Sequence, residues 1–221
     1  MDIFKKIKYQ FFHRKAYLYI KFFSTNLVTY AQNKEDMLID IFLGCKKIGS
    51  YIDVGANHPD ALSVTKLFYE RGWRGLNVEP NYENYLLFLR SRPEDKNYNV
   101  GLADKEGEFD FFYKPDASIG ETTGFTFSQE IYDKRNYDLE SKKIPVTTLK
   151  KLFEENQLTY VDFINIDTEG FEMQILNGND WNKYKAGVLC IEGKGFSDFL
   201  KPFGYKKVLF DGSNSFYKLT K

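Results

Sequence analysis

The chain has 221 residues and a mass of 26.0 kDa, enough for one larger α/β domain whose core needs no disulfide or metal to hold it. With 43% hydrophobic and 28% charged residues it has ordinary globular composition, which excludes a disordered or fibrous protein. Its 31 basic residues balance 31 acidic ones, so no overall field draws it to nucleic acid.

The first 23 residues differ from the rest. Lys5, Lys6, Lys8, Arg14, Lys15 and Lys21 against Asp2 give about +5 there and leave about −5 for the remainder. At about 100° per residue, Phe4, Ile7, Phe11, Leu18 and Phe22 fall on one side of a helix. Residues 1–30 are therefore expected to form a basic, aromatic helical extension. It would pack on the main domain, or touch an anionic membrane or partner through 1–23. No apolar run approaches the roughly 20 residues of a membrane span, and no secretory leader is expected. Cys45 and Cys190 lack zinc or disulfide spacing, so the expected setting is a reducing cytoplasm, or the inner face of the membrane if the basic helix binds lipid.

From Tyr51 onward, short β-branched runs alternate with longer helical patterns, the signature of a parallel sheet with crossover helices. Strands are expected at Ser50–Val54, Gly75–Val78, Tyr98–Leu102, Val161–Ile166 and Val188–Ile191, with helices at Ser63–Arg71 and Tyr82–Arg90. Glu106–Tyr113 reads as an added hairpin or a sixth strand. Residues 114–141 are polar, carry Gly120 and Gly124, and run too long for a simple connector. They are expected to form a lid or substrate loop within a domain spanning 31–221. Ile144–Val146 is short and extended, Thr148–Asn156 reads as a helix capped by Thr147, and a further helix is expected at Gly170–Asn177. The runs Tyr205–Phe210 and Ser215–Leu219 flank Asp211-Gly212-Ser213-Asn214 as a closing hairpin. Trp73 and Trp181 are expected to anchor the core or a lid rather than to stack on a sugar.

The segment Tyr51-Ile52-Asp53-Val54-Gly55-Ala56-Asn57 carries the most chemistry. A buried strand ends in an acid, and a glycine then lets the backbone turn tightly and admit a ligand at the carboxyl edge of the sheet. Asn57 and Asp60 stand where a dinucleotide fingerprint has its second and third glycines, so a pyrophosphate ligand is disfavoured. Asp53 would repel phosphate and suit an ammonium or a sulfonium. The second strand ends in Glu79-Pro80, where an acid accepts bonds from ribose hydroxyls, and an adenine could lie against the next turn at Leu102-Ala103-Asp104. Two acids on adjacent strand ends make a nucleoside site.

Taken together, Ala31-Gln32-Asn33-Lys34-Glu35-Asp36, Asp53-Val54-Gly55-Ala56-Asn57, Ser63-Val64-Thr65, Arg71-Gly72-Trp73-Arg74-Gly75, Glu79-Pro80 and Ile166-Asp167-Thr168-Glu169-Gly170-Phe171-Glu172 resemble the FkbM family of S-adenosylmethionine-dependent methyltransferases. The likeness covers roughly Tyr30 to Glu192, and His58-Pro59 departs from the commoner form of the motif. It implies a class I methyltransferase fold: a Rossmann-like α/β domain with a mostly parallel seven-stranded sheet and a C-terminal antiparallel hairpin. It also implies S-adenosyl-L-methionine as cofactor and methylation of a hydroxyl, here on a sugar or glycan acceptor. The cofactor-binding set is then Gln32, Asp36, Asp53, Gly55, Ala56, Asn57, Glu79, Pro80, Leu102 and Asp104, with Gln32 and Asp36 at the amino-acid end.

A sugar hydroxyl needs a base or a metal ion to lose its proton. Asp167 is the preferred base or metal ligand, with Glu169 in support and His58 beside the turn as an alternative base. Asp167, Glu169 and Glu192 offer oxygen ligands suited to Mg²⁺ or Mn²⁺. Two rival readings stand beside this one, a nicotinamide-dependent oxidoreductase and a catalytically silent peripheral binding module. A nucleic-acid methyltransferase is disfavoured, because no Asn/Asp-Pro-Pro-aromatic motif is present.

Overall fold

In the computed structural model, residues 28–113, 126 and 140–220 are described. The expected N-terminal helix in 1–23, and all of the 114–141 loop except Thr126, Glu140 and Ser141, lie outside them.

The chain enters through helix α1 (Glu35–Phe42) and strand β1 (Ser50–Val54), followed by α2 (Lys66–Glu70), β2 (Arg74–Val78), α3 (Tyr82–Ser91) and β3 (Lys96–Tyr98). Three strands, β4 (Gly101–Ala103), β5 (Gly107–Tyr113) and β6 (Glu140–Thr148), then leave the main sheet. Helix α4 (Leu149–Glu155), β7 (Tyr160–Ile166), α5 (Glu172–Asn177) and β8 (Lys185–Glu192) return to it. Helix α6 (Ser197–Leu200), a 3₁₀ turn (Lys201–Phe203), β9 (Tyr205–Phe210) and β10 (Asn214–Leu219) complete the described chain.

The main sheet has seven strands in the order β3-β2-β1-β7-β8-β10-β9. Its first five strands run parallel, and β10 lies antiparallel between β8 and β9. This is the expected mostly parallel sheet with a closing hairpin. Side chains alternate across the pleat, so each buried strand feeds two cores. Tyr51, Phe163, Val188, Cys190 and Phe216 pack with Leu38, Ile39 and Phe42 of α1 and with Trp73 on one face. Ile52, Ile164, Leu189 and Ile191 pack with Leu152, Phe153, Ile175, Leu176 and Trp181 on the other.

Several boundaries differ from expectation, each with a local cause. The strand expected over Tyr98–Leu102 is two strands: β3 pairs with β2 and β4 pairs with β6 in a separate sheet of order β4-β6-β5. Asn99 marks the break, its Nδ2 donating to the Glu79 and Pro80 carbonyls at 2.9 and 3.1 Å. The Glu106–Tyr113 segment joins this small sheet as β5 rather than extending the main one, and Ile144–Val146 is the middle of the nine-residue β6. Helix α2 is shorter than Ser63–Arg71, because Ser63 and Thr65 spend their hydroxyls on tertiary bonds. Thr148, not Thr147, caps α4 by accepting from the Lys151 amide at 3.1 Å.

Candidate active site

The carboxyl ends of β1, β2 and β7 open onto a solvent-connected cleft. Gly55 sets its floor at φ +73°, and a Cβ on it would lie 1.9 Å from the Asp167 carbonyl oxygen. Only glycine fits both the left-handed backbone and this approach. The ladder stays paired to its last rung: Gly55 N–H donates to the Val78 carbonyl and Asp167 N–H to the Val54 carbonyl, both at 3.0 Å.

Below this floor a polar row crosses the sheet, with Asp53 in register with Asn77 and Asn165. Asp53 is fully buried and accepts from Thr65 Oγ1 at 2.6 Å and Asn165 Nδ2 at 2.9 Å. The buried Arg92 guanidinium donates to Thr65 Oγ1 at 2.7 Å, to Ser63 Oγ at 2.8 Å and to the Pro59 carbonyl. Arg92 thus faces Asp53 through one hydroxyl. Burial nevertheless dominates and holds the Asp53 carboxyl above its usual range. Asp95 extends the network, accepting from Tyr51 Oη at 2.6 Å, Asn77 Nδ2 at 3.0 Å and the Gly75 amide at 2.8 Å.

Glu79 lies at the end of β2, buried and facing the cleft. Its two oxygens accept from the amides of Asn57 at 2.6 Å and Asn81 at 2.7 Å, and burial pushes its pKa up to about 8 against those bonds. A carboxylate has about four acceptor positions, so two remain for hydroxyl donors. Asn84 Nδ2 donates to Asn57 Oδ1 at 2.9 Å and steadies the turn.

On the far side, Asp167, Glu169 and Glu192 place carboxylate oxygens within 4.8 Å of one another. Burial and the facing Glu192 and Glu169 carboxylates raise Asp167 well above the usual carboxylate range; its protonated form donates to Glu192, which is itself raised, chiefly by burial. Glu169 sits at φ +54°, held by both flanking peptides. Its N–H donates to the Glu192 carboxylate, and its carbonyl accepts from Thr126 Oγ1 at 2.8 Å. Glu172 Oε1 closes the loop, accepting from Thr168 N, Thr168 Oγ1 and Gly170 N at 3.1 Å each.

The cleft gathers Gln32, Asp53, Gly55, Ala56, Asn57, Glu79, Pro80, Leu102, Asp167 and Glu169 from the expected set. Of the other four, Glu192 joins the Asp167 cluster without lining the cleft, and three are elsewhere. Asp36 is turned away from the cleft and consumed by Thr29 Oγ1, Tyr30 N and Met37 N at 2.7, 2.8 and 2.8 Å. Asp104 is exposed and does not line the cleft, because the chain has already left the main sheet at Asn99. His58 accepts the Asp60 and Ala61 amides at Nδ1, both at 3.0 Å, so that nitrogen has no lone pair left for a substrate proton. Burial also holds the His58 imidazole below its usual pKa.

Glu35, Asn165, Thr65 and Arg92 were not foreseen. Glu35 was legible in the helix period: it sits three, four and seven residues before the buried Leu38, Ile39 and Phe42, an acid on an apolar face. Asn165 is likewise a polar residue inside an apolar strand. Nothing local in the sequence marked Arg92, whose partners lie about thirty residues away.

No curated protein matches this chain. Among solved structures, the METTL16 MTase domain is 12% identical with a TM-score of 0.47, over 86% of this chain and 68% of that one. A Burkholderia thailandensis 1,6-didemethyltoxoflavin-N1-methyltransferase, solved with 1,6-didemethyltoxoflavin and S-adenosylhomocysteine, is 10% identical with a TM-score of 0.43, over 100% of this chain and 92% of that one. The family model described as the methyltransferase FkbM domain matches residues 53–213, from the acid ahead of the Gly55 turn to the tip of the closing hairpin. By that match, spanning both sides of the cleft, the chain belongs to the FkbM methyltransferase family.

Proposed function

We propose that the chain is an S-adenosylmethionine-dependent O-methyltransferase that acts on a hydroxyl of a carbohydrate or glycan precursor. The observation that carries this reading is the placement of acids on either side of Gly55: Glu79 at one end of the cleft, the Asp167 cluster at the other. The residues present suit the cofactor. Glu79 retains acceptor capacity for ribose hydroxyls, and Val100, Gly101 and Leu102 offer an apolar edge for a base. Glu169, and Asp167 once ionised, would face a sulfonium with negative charge.

S-adenosylmethionine supplies an activated methyl group, so the protein's task is chiefly alignment. Gly55 lets the floor come close enough for in-line approach. Asp167 is the proposed base, because high proton affinity makes a stronger proton acceptor. A cation brought beside Asp167 favours its ionised form, which is then free to accept the proton of an acceptor hydroxyl. Phe111 and Thr126, contributed from outside the main sheet, line the same cleft and would form one wall of the acceptor pocket.

The three carboxylates would also accommodate a hard divalent cation such as Mg²⁺ or Mn²⁺, in place of the shared proton. Activity unchanged by exhaustive chelation assigns the cluster to proton transfer alone. Among the described residues no helix is long and apolar enough to cross a membrane. Peripheral contact through the basic segment 1–23 remains a proposal, tested by sedimentation with anionic vesicles.

The deciding experiment is mass spectrometry of sugar and lipid-linked acceptors incubated with the protein and S-adenosylmethionine. The expected product carries one methyl in place of a hydroxyl hydrogen. Methyl appearing on nitrogen or carbon would refute the O-methylation reading. Cofactor binding without turnover on any acceptor would favour a silent binding module.

A further inference from the structure

Leu62 is an apolar side chain left open to solvent on a backbone conformation that favours glycine. It lies in the irregular connection between β1 and α2, at φ +55°, and is 47% exposed while lining the cleft. Left-handed backbone is cheap for glycine and tolerable for asparagine, but the Cβ of a leucine there crowds the following carbonyl. An exposed leucine also gains little from burial. The folded chain offsets neither cost, since Leu62 belongs to none of the apolar clusters among the described residues.

The conformation is imposed from both sides. Ahead of Leu62, the buried Arg92 guanidinium donates to the Pro59 carbonyl; behind it, the same group donates to Ser63 Oγ at 2.8 Å and Thr65 Oγ1 at 2.7 Å. His58 Nδ1 accepts from the Asp60 and Ala61 amides, and Lys66 pairs with Asp60 at 2.5 Å. With its neighbours fixed, Leu62 is presented at the rim of the cleft. Strain of this kind persists only where the surroundings over-determine it, and it clusters at ligand contacts.

Exposure indicates which ligand it meets. The surfaces suited to a nucleoside are closed in, with Ala56, Val78, Glu79 and Leu102 each at most 6% exposed. Leu62 lines the same cleft but stays open to solvent, so it faces the reactant that enters from solvent onto a bound cofactor. An apolar side chain there matches an apolar patch on that reactant, and a sugar carries one in the C–H face of its ring. We propose that Leu62 is a binding residue for the acceptor, packing on the C–H face of the sugar whose hydroxyl is methylated, and that it selects acceptors offering such a face. This rests on the methyl-transfer reading given above.

Steady-state kinetics with the panel acceptor that gains methyl fastest, together with thermal melts and S-adenosylhomocysteine calorimetry, test this. Leu62→Gly and Leu62→Asn both relieve the backbone and remove the apolar contact. Each should melt no more than about 4 °C below wild type, or above it, and bind S-adenosylhomocysteine within about twofold. Each should raise the acceptor KM about five- to fifteenfold with kcat within about twofold. Leu62→Met, which keeps an apolar chain, should hold KM within about threefold of wild type. Melting temperatures lowered by more than about 4 °C in both relieving variants would make Leu62 a packing residue and overturn the assignment. So would an unchanged acceptor KM, or a matching loss of S-adenosylhomocysteine affinity. Transfer by the wild type to no acceptor of the panel would overturn the methyl-transfer reading, and this assignment with it.

Discussion

Replacing Gly55 by alanine would test the floor of the cleft quantitatively. The new Cβ would sit 1.9 Å from the Asp167 carbonyl oxygen, 3.0 Å from its carbon and 3.1 Å from Thr168 Cγ2. Two of these neighbours are backbone, so relief requires β1 and β7 to part by about 1.5 Å at their ends. That parting breaks the Asp167 N–H bond to Val54 and strains the Gly55 N–H bond to Val78, at about 1 kcal/mol each. Placing alanine at φ +73° adds about 1–2 kcal/mol. Together these come to about 3–4 kcal/mol, a fall in melting temperature of about 6–16 °C for a chain of this size. Gly72→Ala is the control. Gly72 has φ +91° but nothing within 4 Å of an added Cβ, so it should lose only the backbone-strain part, about 1–2 kcal/mol. Thermal melts of both variants, with S-adenosylhomocysteine calorimetry on each, separate strain from collision. Gly55→Ala should also lose at least about tenfold in affinity while Gly72→Ala keeps it. Equal melting temperatures for the two variants, or full ligand affinity in Gly55→Ala, would refute the collision.

Three further outcomes follow from the same geometry. Glu79 has a folded pKa of about 8, above the unfolded value, so the protonated group stabilises the fold at low pH. That stabilisation is lost as pH rises from about 4.5 through about 8, at roughly 1.4 kcal/mol per unit. Binding of hydroxyl donors needs the ionised form, so S-adenosylhomocysteine affinity should climb up to about tenfold per pH unit until pH 8 and then level off; a slope of the same steepness in Glu79→Gln would contradict this. Asp167→Asn should bind S-adenosylhomocysteine within about threefold of wild type and lose about a hundred- to ten-thousand-fold in methyl transfer, and an active variant would exclude Asp167 as base. Thr126→Val should release the left-handed turn at Glu169, lowering turnover with little change in cofactor affinity, with Thr126→Ser restoring it because the hydroxyl is the working group. Failure of serine to rescue would show that the methyl packing matters instead.

The sheet was legible because its strands are short, β-branched and buried on both faces, so their periodicity was undisturbed by solvent. Residues governed by local backbone chemistry were equally plain: an acid, then a glycine at a strand end, has few physical explanations. Asp104 was misplaced because sequence period cannot tell one strand from two that belong to different sheets; the break at Asn99 depends on side-chain bonds to carbonyls twenty residues earlier. Asp36 and Glu35 sit side by side and are both buried, and the sequence does not show that Glu35 faces the cleft while Asp36 is bonded to Thr29, Tyr30 and Met37. His58 looked like chemistry because histidine titrates near neutrality, yet its neighbours Asp60 and Ala61 claim it as a turn fastener. The support of Asp53 by Arg92 was out of reach, since it runs through tertiary contacts that no spacing encodes.

The small sheet of β4, β5 and β6 meets the main body through β4, whose Leu102 belongs to a large core cluster, and through Ala103 and Val146, which pack on Phe171. Among the described residues, Ala103, Val146 and Phe171, with Phe109 against them, form a separate apolar cluster, and the two large clusters flanking the main sheet contain no residue of β5 or β6. The nucleoside end and the Phe111 wall therefore meet at β4, while β5 and β6 stand outside the two large clusters. Changes in β5 or β6 can recontour the wall that Phe111 and Thr126 present without disturbing Glu79 or Gly55. An architecture divided this way lets new acceptors be explored by drift in one small module, with the donor grip inherited unaltered.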